Sequence, residues 1–196
     1  MKKVILLIAL VAFCISLTGC GQMLPETAAD GSSWSEDWVT VGSILGVDTP
    51  EGLTPRENND ALAVKGMYYA TWSMGEASAY VNEEGKDAEL YDAQVYVLLA
   101  GYDAVEKTEA AMEEWLAMAS SQYAVTQTLS ETCNGQPFTV LTYTYTAQTN
   151  PFARGASAFG IYRNYAISVE VSCRENFTGN ELDILMEFLE NCHYAT

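Results

Sequence analysis

Cysteine, serine and carboxylate side chains are the groups in this chain that could do covalent or acid–base chemistry. Cys20 stands apart from the other four cysteines. It follows Leu17-Thr18-Gly19 and closes an uncharged apolar run, Val4 to Ile15, that begins behind Lys2 and Lys3. A positive start, an apolar stretch and small residues at its end describe a secretory signal. A spanning helix needs about 20 apolar residues, and this run stops short of that. Elsewhere, Gly155-Ala156-Ser157-Ala158-Phe159-Gly160 sets a serine among small residues. A nucleophile elbow needs Gly two positions after the serine and a helix behind it, whereas Phe159 sits there and β-forming residues follow. The acids Glu83, Glu84, Asp87 and Glu89 lack EF-hand spacing and read as a solvated turn. Glu76, Asp92 and Glu170 could serve a hydrolase without His or Cys. No metal, cofactor or catalytic set is expected.

Leu17-Thr18-Gly19-Cys20 resembles the lipobox of bacterial lipoproteins, in which a Leu, two small residues and a Cys lie directly behind the apolar run. The resemblance implies that the Cys20 thiol receives a diacylglyceryl group and that cleavage makes it the first mature residue. It further implies a protein of the cell membrane, lipid-anchored and facing the extracytoplasmic side. Two or more acyl chains hold a protein stably where one does not.

The chain is acidic, with 9 Lys and Arg against 26 Asp and Glu and a formal charge of −17. Removing residues 1–19 takes Lys2 and Lys3 and no acid, which leaves −19. Phosphate backbones need clustered Lys and Arg, so nucleic acid is excluded as a natural partner. Close contact with anionic lipid is disfavoured.

Three parts are expected: a signal peptide at 1–19, lipidated Cys20 with a flexible tether through 36, and a single domain over 37–196. The tether reading rests on Gly21, Pro25, Thr27, Asp30, Gly31, Ser32 and Ser33. Within the domain, Trp38–Val41 reads as an edge strand. Pro50, Gly52 and Pro55 break regular structure, and Glu57-Asn58-Asn59-Asp60 reads as a turn. Strand patterns follow over Met67–Met74, Ala77–Val81 and Leu90–Leu99. Asp103 and Glu106 have the spacing of a capping box, and Val105, Thr108, Met112, Trp115, Leu116, Ala119 and Tyr123 recur at helical spacing. Four strands follow, Ala124–Glu131, Phe138–Thr146, Ser157–Tyr162 and Tyr165–Cys173, with Asn134-Gly135 as a hairpin signal. A second box, Thr178 and Glu181, opens a last helix with Leu182, Leu185, Met186, Leu189 and Cys192 on its inner stripe and His193 in its final turn.

This order predicts an α+β fold, an antiparallel β-sheet with two amphipathic helices packed on it. The element order over about residues 50–196 resembles the PsbP-like sandwich, which implies assembly or binding in place of catalysis. The strand aromatics Tyr68, Tyr69, Trp72, Tyr143 and Tyr145 are either core or the lining of a ligand groove. Of the exported thiols Cys133, Cys173 and Cys192, the first and last are the preferred pair for a bridge, and three buried free thiols are the alternative. The last helix carries Cys192 about 20 Å away from Cys173 and toward the hairpin that ends in Cys133. The expected function is a membrane-anchored, non-catalytic binding or interaction domain for an unknown protein or small ligand. The alternatives are a structural subunit of an envelope complex and a carboxylate-based envelope hydrolase.

Overall fold

The computed structural model describes residues 26–59, 66–81, 85–147 and 150–196. The signal, Cys20, Glu83 and Glu84 lie outside them. In chain order the elements are β1 (Val39–Val41), β2 (Leu45–Val47), β3 (Thr54–Asn59), β4 (Met67–Met74), β5 (Ser78–Val81), β6 (Asp87–Leu90) and β7 (Ala93–Gly101). Then come α1 (Val105–Gln122), β8 (Tyr123–Cys133), β9 (Gln136–Tyr145), β10 (Arg154–Tyr162), β11 (Tyr165–Cys173), α2 (Glu181–Glu190) and β12 (Cys192–Tyr194). Seven strands form one sheet in the order β3-β4-β7-β11-β10-β9-β8; β1, β2 and β12 form a second, and β5 pairs with β6 alone. Every pairing is antiparallel. The fold is α+β, as the element order implies.

Local chemistry accounts for much of this. Asn134 and Gly135 both take positive φ, 49° and 76°, the backbone of a two-residue hairpin turn whose twist suits the strands it joins. β3 is an edge strand, where Pro55 costs no ladder bond and the register shifts beside it, between Pro55 and Glu57. Residues 54–59 are therefore a strand and not the breaker and turn that their composition suggests. The strand expected over Leu90–Leu99 is interrupted at Tyr91-Asp92, where the Glu76 amide donates to Asp92 Oδ2 at 3.3 Å.

Both expected capping boxes are replaced. At α1 the N-cap is Ala104, with no side-chain cap, because the Asp103 carboxylate turns to Lys107 at 2.7 Å. At α2 the N-cap is Asn180, whose Oδ1 accepts from the amides of Leu182 and Asp183 at 2.8 and 3.1 Å. Glu181 is taken up by Arg154 instead. The chain leaves helical geometry after Glu190, so Cys192 and His193 belong to β12, paired with β2.

Side-chain alternation gives the large sheet two different faces. Val95, Val97, Leu99, Val140, Ala158, Ile167, Val169 and Val171 point to one, where Trp72 and the α2 residues Leu185, Phe188 and Leu189 complete a dry core. The opposite face meets α1 through Met112, Trp115, Leu116 and Ala119. Residues 26–36 are also part of the domain and not a free tether. Ala28 is fully buried and bridges to Ala195, and the Thr196 amide donates to the Thr27 carbonyl.

Candidate functional site

The face under α1 is unusually polar for a sheet interior. Val169, Val171 and Cys173 face α2, so Glu170 and Ser172 between them must point to α1. Register then places Leu141, Ser157, Glu170, Tyr96 and Thr71 in one row across five strands. On β9, Tyr143 and Tyr145 share this face, and Tyr123 approaches where α1 hands over to β8.

These groups form a hydrogen-bonded cluster. Tyr145 donates its hydroxyl to Glu170 Oε1 at 2.7 Å, and Ser172 donates to the same oxygen at 3.1 Å. The Tyr145 and Ser172 hydroxyl oxygens lie 2.6 Å apart, so one of their two protons is divided between this contact and the carboxylate, and Tyr143 and Ser157 share a bond of 2.8 Å. The Tyr123 and Tyr143 rings stack at 4.1 Å, and Tyr145 stands edge-on to both. Gly155 makes room for this arrangement: a Cβ there would come within 2.8 Å of Tyr143 Cε2 and of the Val171 carbonyl.

Electrostatics follow from burial. Glu170 is half-buried, and among the described residues no cation pairs with its carboxyl. Desolvation therefore pushes its pKa up, and the hydroxyl donors only partly offset this. Burial likewise raises Tyr123, Tyr143 and Tyr145. The cluster can bind by hydrogen bonding and aromatic stacking, and it holds a carboxyl group that takes up a proton readily. Beside it, Met112, Pro137, Phe138 and Phe159 border an open groove of about 410 Å³ with Glu131 among its lining residues.

A raised acid pKa in the folded state means that the folded chain binds more protons than the unfolded one. Stability at Glu170 is then fullest below the unfolded carboxyl pKa and falls as pH rises through the folded value. Glu170→Gln should flatten that part of the urea-midpoint profile. It should also add on the order of 1 kcal/mol near neutral pH, since a neutral amide can still accept from Tyr145. An unchanged profile would show that Glu170 is not the group responsible.

The structure separates other residues that the sequence grouped together. Trp72 lies in the α2-side core and Tyr69 stacks on Tyr96, while Tyr143 and Tyr145 enter the cluster. Glu76 and Asp92 meet near Gly75, where Asp92 also faces Arg174 at 3.8 Å; neither shares Glu170's cluster. Ser157 is bonded to Tyr143 on a strand. Among the described residues no three His, Cys, Asp or Glu side chains are grouped to hold a metal. Cys133, Cys173 and Cys192 are buried free thiols; Cys133 and Cys192 are neighbours, with Asn134 Nδ2 donating to the Cys192 carbonyl at 2.9 Å. Tyr123, read from sequence as the end of the helical stripe, opens β8 instead, and Ser172 and Tyr96 were not read as site residues. The alternation that places Glu170 on this face also places Ser172 there, but nothing local reveals that β10 and β7 flank β11, or that β9 lies next beyond β10.

No family model matches the chain, and no curated protein does. Among solved structures it is similar to cyanobacterial PsbP (CyanoP) from Synechocystis sp. PCC 6803, with 10% identity and a TM-score of 0.40, over 75% of this chain and 95% of that one. A Pseudomonas aeruginosa protein of unknown function gives 12% identity and a TM-score of 0.35, over 52% and 85%. A Bacteroides thetaiotaomicron protein gives 7% and 0.37, over 81% of this chain and 48% of its own.

Proposed function

We propose that this is a membrane-anchored extracytoplasmic lipoprotein whose α+β domain binds a partner or small ligand without catalysis. In this reading the lipid sits on Cys20, and the α1 face of the sheet is the binding surface. One observation carries the choice of surface. A half-buried carboxyl with hydroxyl partners and no paired cation among the described residues costs stability that an apolar side chain would not, so the fold keeps it for use. No described helix is long and apolar enough to cross a membrane.

Cell fractionation tests the anchor. The unaltered chain should pellet with membranes and Cys20→Ala should be released almost entirely; a variant that stays in the pellet refutes lipid attachment. For the surface, a saturating ligand at about 100 times its Kd should add about 2.7 kcal/mol. Glu170→Gln should lose most of that gain, and full retention would move the binding surface elsewhere.

The open edge of β8, eleven residues long, favours a second reading as a subunit of an envelope complex, which a stoichiometric cross-linked partner in cells would support. Export would also expose Cys133 and Cys192 to oxidation, and this is the pair expected to close. Labelling of denatured, non-reduced protein should then find Cys173 as the one free thiol beyond Cys20, whereas three would exclude the bridge.

A further inference from the structure

A second aromatic assembly lies away from the candidate site, on the small sheet. Register aligns Thr40, Gly46 and His193 in one row across β1, β2 and β12. Trp34 and Trp38 lie over that row. The Trp38 ring stacks on His193 at 3.9 Å with 5° between planes, and Trp34 stands edge-on to Trp38 at 5.5 Å. Gly46 permits this, since a Cβ there would come within 2.8 Å of both indoles. Trp34 Nε1 reaches Thr40 Oγ1 at 3.4 Å, and Asp30 Oδ2 faces His193 Nδ1 at 3.2 Å. Trp34 and Trp38 both remain partly exposed.

The position of the plate gives it meaning. Glu26 lies six residues after Cys20, so even full extension separates them by about 20 Å. A domain of this size is about 40 Å across. The packed segment 27–34 leads straight into the plate, and β12 forms part of its floor. A lipid on Cys20 therefore keeps this end of the domain nearer the bilayer than any other. Tyr162 and Arg163 belong to the same end: the Tyr162 hydroxyl donates to the Ala195 carbonyl at 2.7 Å, and the Arg163 guanidinium lies over the Tyr162 ring. Indoles favour the headgroup level of a bilayer, apolar on one side and wet on the other. Glu26, Asp30, Glu36 and Asp37 flank the plate, which suits uncharged or zwitterionic headgroups and not anionic ones.

We infer that Trp34 and Trp38 form a membrane-contact plate that seats the small sheet on the zwitterionic surface of the bilayer in which Cys20 is anchored. This rests on the lipid attachment proposed above. The test uses the full lipidated protein in phosphatidylcholine vesicles carrying brominated acyl chains, which quench tryptophan at short range. The chain has four tryptophans, and Trp72 is fully buried. Vesicle flotation together with quenching is expected, with quenching at least halved in Trp34→Phe/Trp38→Phe and in Gly46→Val, both of which still float. Flotation without quenching, or quenching lost only in Trp115→Phe, overturns the plate and leaves the anchor standing. Failure to float overturns both.

Discussion

Trp72→Ala is expected to lower the unfolding free energy by about 3–5 kcal/mol, because the side chain has no exposed surface and the dry core cannot collapse around its loss. Its ring packs edge-on against Phe188 of α2 at 4.8 Å, and its Nε1 donates to Thr49 Oγ1 at 3.1 Å. Truncation removes the contact that joins β4 to α2 and leaves the Thr49 hydroxyl without that donor. A domain of this size has about 5–15 kcal/mol in total, so the variant should sit near its unfolding threshold. Trp72→Phe keeps most of the volume and loses the hydrogen bond, so about 1–2 kcal/mol is expected. Urea unfolding followed by circular dichroism measures both. Equal costs for the two variants would mean that the indole N–H, and not packing, holds this point.

Arg154→Ala is expected to cost about 3 kcal/mol. Arg154 opens β10, and its guanidinium bonds Glu181 through Nε at 2.8 Å, the Arg174 carbonyl through Nη1 at 3.1 Å, and the Phe177 and Gly179 carbonyls through Nη2 at 2.7 and 2.8 Å. Three of these acceptors lie on the loop that carries the chain from β11 into α2. Removing the arginine leaves a largely enclosed carboxylate and three carbonyls without a donor, which is the costly way to break an ion pair. Arg154→Lys restores charge but not the planar fork, so it should recover less than half of the loss. Amide exchange should quicken first in residues 174–185. A lysine variant as stable as the parent would show that charge alone is what matters there.

Both sites sit where local pattern meets long-range pairing, and this is where sequence reading succeeded and failed. Met67–Met74, dense in aromatic and β-forming side chains, and Tyr165–Cys173, with its period of two, were legible to the residue. β3 was not, since Pro55 reads as a breaker until its place at the sheet edge is known. The Asp103–Glu106 and Thr178–Glu181 boxes failed for another reason. Asp103 and Glu181 found cations, Lys107 and Arg154, and Asn180 became the α2 cap instead. Residues 26–36 looked like tether because Gly, Ser and Asp suit turns in a folded chain as well as in a free one. Their partners, Ala195 and His193, lie at the other end of the sequence.

By itself the sequence determined the alternating and helical periods, the Asn134-Gly135 turn and the strongly acidic balance, all of which are properties of neighbouring residues. Only the tertiary structure decided that β7 and β10 flank β11, and so that Glu170 meets Tyr145, Ser172 and Tyr143 beneath α1. Strand order also brought Trp38 to His193. Periodicity states which face a side chain takes, while the strand beside it is chosen by burial summed over the whole chain.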